Sequence, residues 1–148
     1  MLHATVGSLV AVAAAVPGEI CLLDLEASLE HFCQNKALHA DTMLVVAEPY
    51  FRSLETGRRM IRLGRELALA RLALVGNKVG DDSGREELHR LAASEGVEIV
   101  GEIPHDVTML EADLGATALL DYNPRAPAIA AIDELAERLL AGASGTGG

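Results

Sequence analysis

No stretch of the 148 residues spells Gly-x-x-x-x-Gly-Lys-[Ser/Thr]. That loop grips nucleotide phosphates through backbone N–H groups and one lysine, so its absence argues against autonomous ATP hydrolysis. The only lysines, Lys36 and Lys78, follow no such glycine run. Tryptophan is absent and aromatics make up 3% of the chain, so the core must be built from Ala, Leu, Val and Ile. Such a core suits helices packed on a buried parallel sheet. Basic residues are outnumbered: the net charge is −10, which disfavours nonspecific nucleic-acid binding, because a phosphate backbone needs a basic surface. Cys21 and Cys33 are too few for a disulfide framework and fit a reduced, cytoplasmic protein. No segment reaches membrane-spanning length. Residues 9–16 are apolar and compete as a signal-peptide core, but no Lys or Arg precedes them. The simpler reading is an Ala-rich helix over residues 4–15, stopped by Pro17-Gly18.

What is present is half hydrophobic, with a mean hydropathy of +0.25, enough for one domain with a core. That domain is read as residues 1–140, with a Gly/Ser-rich, disordered tail over 141–148. Short apolar runs alternate with amphipathic stretches. Residues 19–23, 42–47, 71–75 and 97–100 read as strands. Residues 27–37, 53–69, 84–94, 107–114 and 127–140 read as helices. Ser53 is expected to cap the second of these, and Ser83 with Glu86 to form a capping box on the third, which Gly96 stops. Gly57, Ile61, Gly64 and Ala68 fall on one side of helix 53–69 with Met60, Leu63 and Leu67 beside them. Arg58, Arg59, Arg62 and Arg65 fall opposite, as a solvated face or a docking surface for an acidic partner. On the last helix, Ile129, Ile132, Leu135, Ala136 and Leu139 form the buried side.

This order predicts an α/β fold: a partial, open parallel sheet of about four strands flanked by helices. Ligands of such sheets bind at the carboxyl ends of the strands. Asp24 and Glu26, Glu48, Asn77 and Lys78, and the turn from Pro104 to Asp106 all fall there. Asp24 suits a magnesium ion or its water shell, or simply caps a turn. The Asn77 carboxamide offers the donor and acceptor that reading a purine edge needs, and the Lys78 stem can lie along a ring; the alternative is a left-handed turn with a solvated lysine. His31, Cys33 and His39 match no metal-ligand spacing, and Cys21 is expected in the core.

Leu23-Asp24-Leu25-Glu26-Ala27-Ser28-Leu29-Glu30-His31-Phe32 resembles the CooC-type accessory ATPases, which serve nickel insertion into carbon monoxide dehydrogenase within the MinD/ParA class. The resemblance continues through Leu44-Val45-Val46-Ala47-Glu48-Pro49 and Arg52-Ser53-Leu54-Glu55-Thr56. It runs on through Val75-Gly76-Asn77-Lys78-Val79, Gly101-Glu102-Ile103-Pro104-His105-Asp106 and Glu111-Ala112-Asp113-Leu114-Gly115.

The resemblance implies a truncated phosphate-loop ATPase fold using ATP and magnesium. Asp24 then looks like the magnesium-site aspartate, Asn77 and Lys78 like the adenine-facing residues, and Pro104 with Asp106 like the loop over the base. No catalytic residue is implied. The implied partners are a second copy in a homodimer, or a complementing N-terminal ATPase portion, with carbon monoxide dehydrogenase as client and neither nucleic acid nor membrane involved. The family's phosphate-binding lysines, and a Cys-x-Cys pair upstream of a segment like His3-Ala4-Thr5-Val6, have no counterpart in these residues. Weak or absent ATP binding by the isolated chain is therefore expected. Three functions compete: part of a nickel-maturation ATPase, a non-catalytic module that self-associates or pairs with an ATPase homologue, and a small α/β enzyme using Asp24, Glu26 and Glu48.

Overall fold

The computed structural model describes residues 20–25 and 40–144. Within them three parallel strands form one sheet in the order β1-β2-β3: β1 (Thr42–Ala47), β2 (Arg71–Val79) and β3 (Glu98–Pro104). The helices are α1 (Phe51–Glu66), α2 (Asp82–Glu95), α3 (Val107–Leu114), α4 (Leu119–Tyr122) and α5 (Pro127–Ser144). Thr42 pairs with Arg71 and Ala47 with Gly76, while Ala73 pairs with Glu98 and Val79 with Pro104. The α/β class holds, with the three strands read from 42, 71 and 97 onward in place.

One face of the sheet is covered by α1 and α2. Met43, Val45 and Ala47 of β1 meet Met60 and Ile61 of α1, Leu74 and Val79 of β2, and Leu88, Leu91 and Ala92 of α2. Ile61, Leu74 and Leu88 are fully buried. Each such side chain stabilises the fold by about 1.5–3 kcal/mol relative to exposure. On the opposite face Ala73, Val75 and Val100 pack with Leu44, Ile103 and Leu135 of α5. That second cover reaches β1 at Leu44 and leaves Val46 59% exposed.

Several sequence expectations shift. The strand expected over residues 19–23 does not form: residues 20–25 carry no strand pairing, with Ile20 70% and Leu22 87% exposed. An extended segment becomes a strand only when a neighbour answers its N–H and C=O groups, and no described residue does so here. Cys21 is accordingly exposed and not in the core. α1 begins two residues early, with Tyr50 as its N-cap and no side-chain cap. Ser53 instead accepts the Glu48 N–H at 2.9 Å, bracing the turn that leads into the helix. α2 is capped by Asp81, which accepts the Gly84 N–H at 2.7 Å, so Ser83 is not the cap. Gly96 does close that helix, in the left-handed conformation expected of it.

β2 and β3 run longer than their apolar cores because backbone pairing continues through polar residues once a neighbour is in register. α5 continues to Ser144, and its Ile132 is exposed, so the buried side is narrower than periodicity implied. The short helix α4 was not expected. The helices expected over 4–15 and 27–37 and residues 145–148 of the tail lie outside the described residues.

Candidate functional site

Because the three strands are parallel, their carboxyl ends share one edge. β1 delivers Glu48 there. Pro49 follows, and a Cβ on Gly84 would meet its ring at 3.0 Å, so the start of α2 presses against this turn. β2 delivers Asn77 and Lys78 through an irregularity: Gly76 pairs with Glu102, yet Val79, three residues on, pairs with Pro104, only two on. The extra residue is accommodated by Lys78 in the left-handed region at φ +52. Such a bulge bends the strand and re-aims side chains. Lys78 is thereby directed at Glu48, with Nζ 3.0 Å from Oε1. The left-handed residue is thus the lysine and not the neighbouring asparagine. Asn77 is half-buried, and its carboxamide forms no hydrogen bond among the described residues.

β3 ends at Pro104, whose pairing with Val79 is extended by the His105 N–H donating to the Val79 carbonyl at 3.0 Å. Asp106 caps α3. Its Oδ1 accepts the Thr108 N–H at 2.9 Å and the Thr108 hydroxyl at 2.6 Å, and its Oδ2 accepts the Ala128 N–H at 3.3 Å. The hydrogen bonds from Thr108 lead in holding its carboxyl below the ordinary aspartate value. The Asp106 carboxylate therefore fixes the β3–α3 loop to the start of α5, and what that loop offers a ligand is its backbone and the exposed His105. Asp24 is exposed and makes no ion pair with these residues. Glu26 lies outside the described residues. Thus Glu48, Asn77, Lys78 and the loop from Pro104 to Asp106 share the edge, and Asp24 is not joined to them by any bond.

Lys78 and Glu48 answer each other on this edge, and the Asp106 carboxylate leaves it with no excess of positive charge. An edge of this kind suits a neutral, flat, hydrogen-bonding ring better than a polyphosphate, which needs converging cations and N–H groups. Among the described residues no group of three His, Cys, Asp or Glu is placed to hold a metal ion. No helix among them is long and apolar enough to cross a membrane.

Two charged clusters were not read from the sequence. Glu95, at the end of α2, is the one buried charged residue among those described. It accepts from Arg62 at 2.9 Å and Arg65 at 3.2 Å, with Arg58 at 3.4 Å, so three of the four arginines expected on a solvated face lock α1 to α2. The Arg62 hydrogen bond leads in holding the Glu95 carboxyl below its ordinary value. Glu102 on β3 accepts from Arg85 and meets His89, both at 2.8 Å. Burial pushes its carboxyl up, and the two partners outweigh that and hold it low. The signal for both was the spacing of arginines on α1 and α2, whose acidic partners lie far along the chain.

No family model matches the chain. The uncharacterized ATP-binding protein MJ0823 of Methanocaldococcus jannaschii is 35% identical over 105 residues, covering 70% of this chain and 40% of that protein. The carbon monoxide dehydrogenase accessory protein CooC of Rhodospirillum rubrum is 30% identical over 108 residues, 72% of this chain and 40% of CooC. The chain thus spans about two-fifths of the length of these curated relatives. In fold it is similar to the septum site-determining protein MinD of Pyrococcus horikoshii, solved with Mg-ADP, at a TM-score of 0.62 and 21% identity, covering 93% of this chain and 58% of MinD.

Proposed function

We propose that this chain, a sequence relative of the CooC-type ATP-binding proteins with the fold of the MinD ATPases, supplies the base-facing wall of an ATP site. The observation that carries this reading is the edge itself. Asn77, whose carboxamide has no hydrogen bond among the described residues, sits on a bulge between the Glu48–Lys78 ion pair and the anchored β3–α3 loop. A carboxamide donates and accepts at once, which is the pattern an adenine edge requires. The Lys78 stem and the loop at Pro104 flank the ring. Asp106 acts on this site by holding that loop.

The residues present fit the base and not the triphosphate. Phosphate-gripping groups would come from chain outside these 148 residues. A magnesium ion beside nucleotide is commonly held by one or two carboxylates, phosphates and water, and Asp24 is proposed as one such carboxylate once those phosphates are in place. The two sheet edges support a complement of this kind. β3 is guarded, ending in Pro104 and giving its Val100 carbonyl to Arg138 at 2.8 Å. β1 is an apolar run with neither bulge nor proline, built like an interior strand, yet it has no described neighbour on its outer side. We therefore read the chain as one part of an assembling, cytoplasmic accessory ATPase. It either pairs with itself as a dimer or joins a phosphate-binding portion. In the CooC line the cargo would be nickel and the client a carbon monoxide dehydrogenase.

Amide-resolved NMR titration tests the base-facing assignment. Adenosine should shift the amides around residues 77–80 and 102–107 at millimolar concentration, guanosine should not, and Mg-ATP should bind no more than marginally tighter than adenosine. Micromolar Mg-ATP binding by this chain alone would overturn the division into two halves. Saturating adenosine with no response near Asn77 would overturn the site.

A further inference from the structure

α1 carries five of the twelve basic residues, Arg52, Arg58, Arg59, Arg62 and Arg65, against Glu55 and Glu66 on the same helix. It is a positive element on a chain of net charge −10. Three of the arginines converge on Glu95 and Arg58 also meets Glu55 at 2.7 Å. Two carboxylates cannot answer all the donors of three guanidiniums, each of which carries about five N–H groups. Arg62 remains 62% exposed while held at one end, and Arg59 is exposed with no partner among the described residues. Glu95 therefore does more than join two helices. It fixes a row of guanidiniums whose outer donors face solvent, so little side-chain freedom remains to be lost on binding.

We propose that this arginine face is a docking surface for a short, carboxylate-rich segment of another protein. From Arg58 to Arg65 the helix advances about 10 Å, room for a segment carrying a few carboxylates and not for a duplex whose phosphates run on past the patch. Beyond the patch the strongly acidic body repels a long polyanion, while a short acidic segment meets only the positive row. The site lies on α1 and is independent of the nucleotide-facing edge.

The test is fluorescence anisotropy of a labelled oligoglutamate peptide with the whole chain. Binding should be saturable at low ionic strength and largely lost at about 0.5 M salt, where exposed charges are screened. Arg59→Glu lies outside the Glu95 network. It should weaken binding by about tenfold or more, the size expected of reversing one charge in a docking patch. Arg125→Glu, a distant exposed arginine, should change nothing. If Arg59→Glu lowers thermal stability, Arg59→Gln gives the same reading with a smaller loss. Absent saturable binding, equal affinity of the Arg59→Glu and wild-type chains, or equal affinity for a short DNA duplex would each overturn the proposal.

Discussion

Lys78 reaches across the tips of two strands to set its Nζ 3.0 Å from Oε1 of Glu48. The lysine is 52% exposed, so the pair is worth about 0–1 kcal/mol and cannot by itself explain a left-handed backbone there. What it does is neutralise the edge beside Asn77 and hold the bulge in one orientation. The edge consequently has hydrogen-bonding capacity at Asn77 while its lysine is already paired.

Asn77→Ala should leave the unfolding free energy in urea within about 0.5 kcal/mol of the parent, since a half-buried side chain with no hydrogen bond among the described residues contributes little. The same variant should lose the adenosine-induced amide shifts. Unaltered shifts would remove Asn77 from the site.

The Glu95 carboxyl is held low in the folded protein, chiefly by Arg62. A depressed carboxyl contributes stability above its unfolded value, and that stability is lost as pH falls through the folded value. Unfolding free energy should therefore decline from about pH 5 downward, through the ordinary glutamate value and on below it. Glu95→Gln should be destabilised by about 1–2 kcal/mol at neutral pH, because buried amide replaces a carboxylate shared by three guanidiniums. Its stability should fall less steeply in acid, and parallel pH profiles for the two chains would refute the assignment.

Two helical glycines of α1 should respond oppositely to alanine. At Gly57 a Cβ would meet only ordinary contacts, the nearest being Ala47 Cβ at 3.5 Å. Gly57→Ala should gain up to about 1 kcal/mol from helix propensity. At Gly64 the Cβ would fall 2.5 Å from Leu72 Cδ2 and 3.2 Å from the Met43 sulfur. Gly64→Ala should lose about 1–3 kcal/mol by overpacking, and chemical denaturation of the pair decides the point.

Ala68, just past α1, is exposed and sits at φ +54. A left-handed L-residue costs about 1–2 kcal/mol, part of which glycine's greater unfolded freedom returns. Ala68→Gly should raise stability by about 0.5–1 kcal/mol. Lys78→Gly, at φ +52, should gain less because it forfeits the Glu48 pair. Thermal unfolding that ranks the two the other way would count against this account.

The sequence showed most clearly what periodicity and local chemistry control. The run Thr42–Ala47 and the helix Val107–Leu114 fall where hydrophobic pattern placed them, and Gly96 stops α2 as a left-handed residue should. The edge carrying Glu48, Asn77, Lys78 and Pro104 was legible because parallel strands put their ends together whatever their exact lengths. The cap at Asp81 was missed because Asp81, Asp82 and Ser83 are all competent caps, and only geometry selects among them. The strand expected near Leu22 failed because apolar composition does not supply a pairing neighbour.

Amino-acid order alone determined the class of fold, the helix-covered parallel sheet and the edge at which the strands' carboxyl ends gather. Those properties follow from short-range periodicity and chain chirality. Tertiary structure alone decided that Lys78 answers Glu48, that Asp106 anchors a loop and that Glu95 gathers Arg58, Arg62 and Arg65. Ion pairs and caps of this sort depend on distances between residues remote along the chain, and such distances exist only once the backbone has closed around its core.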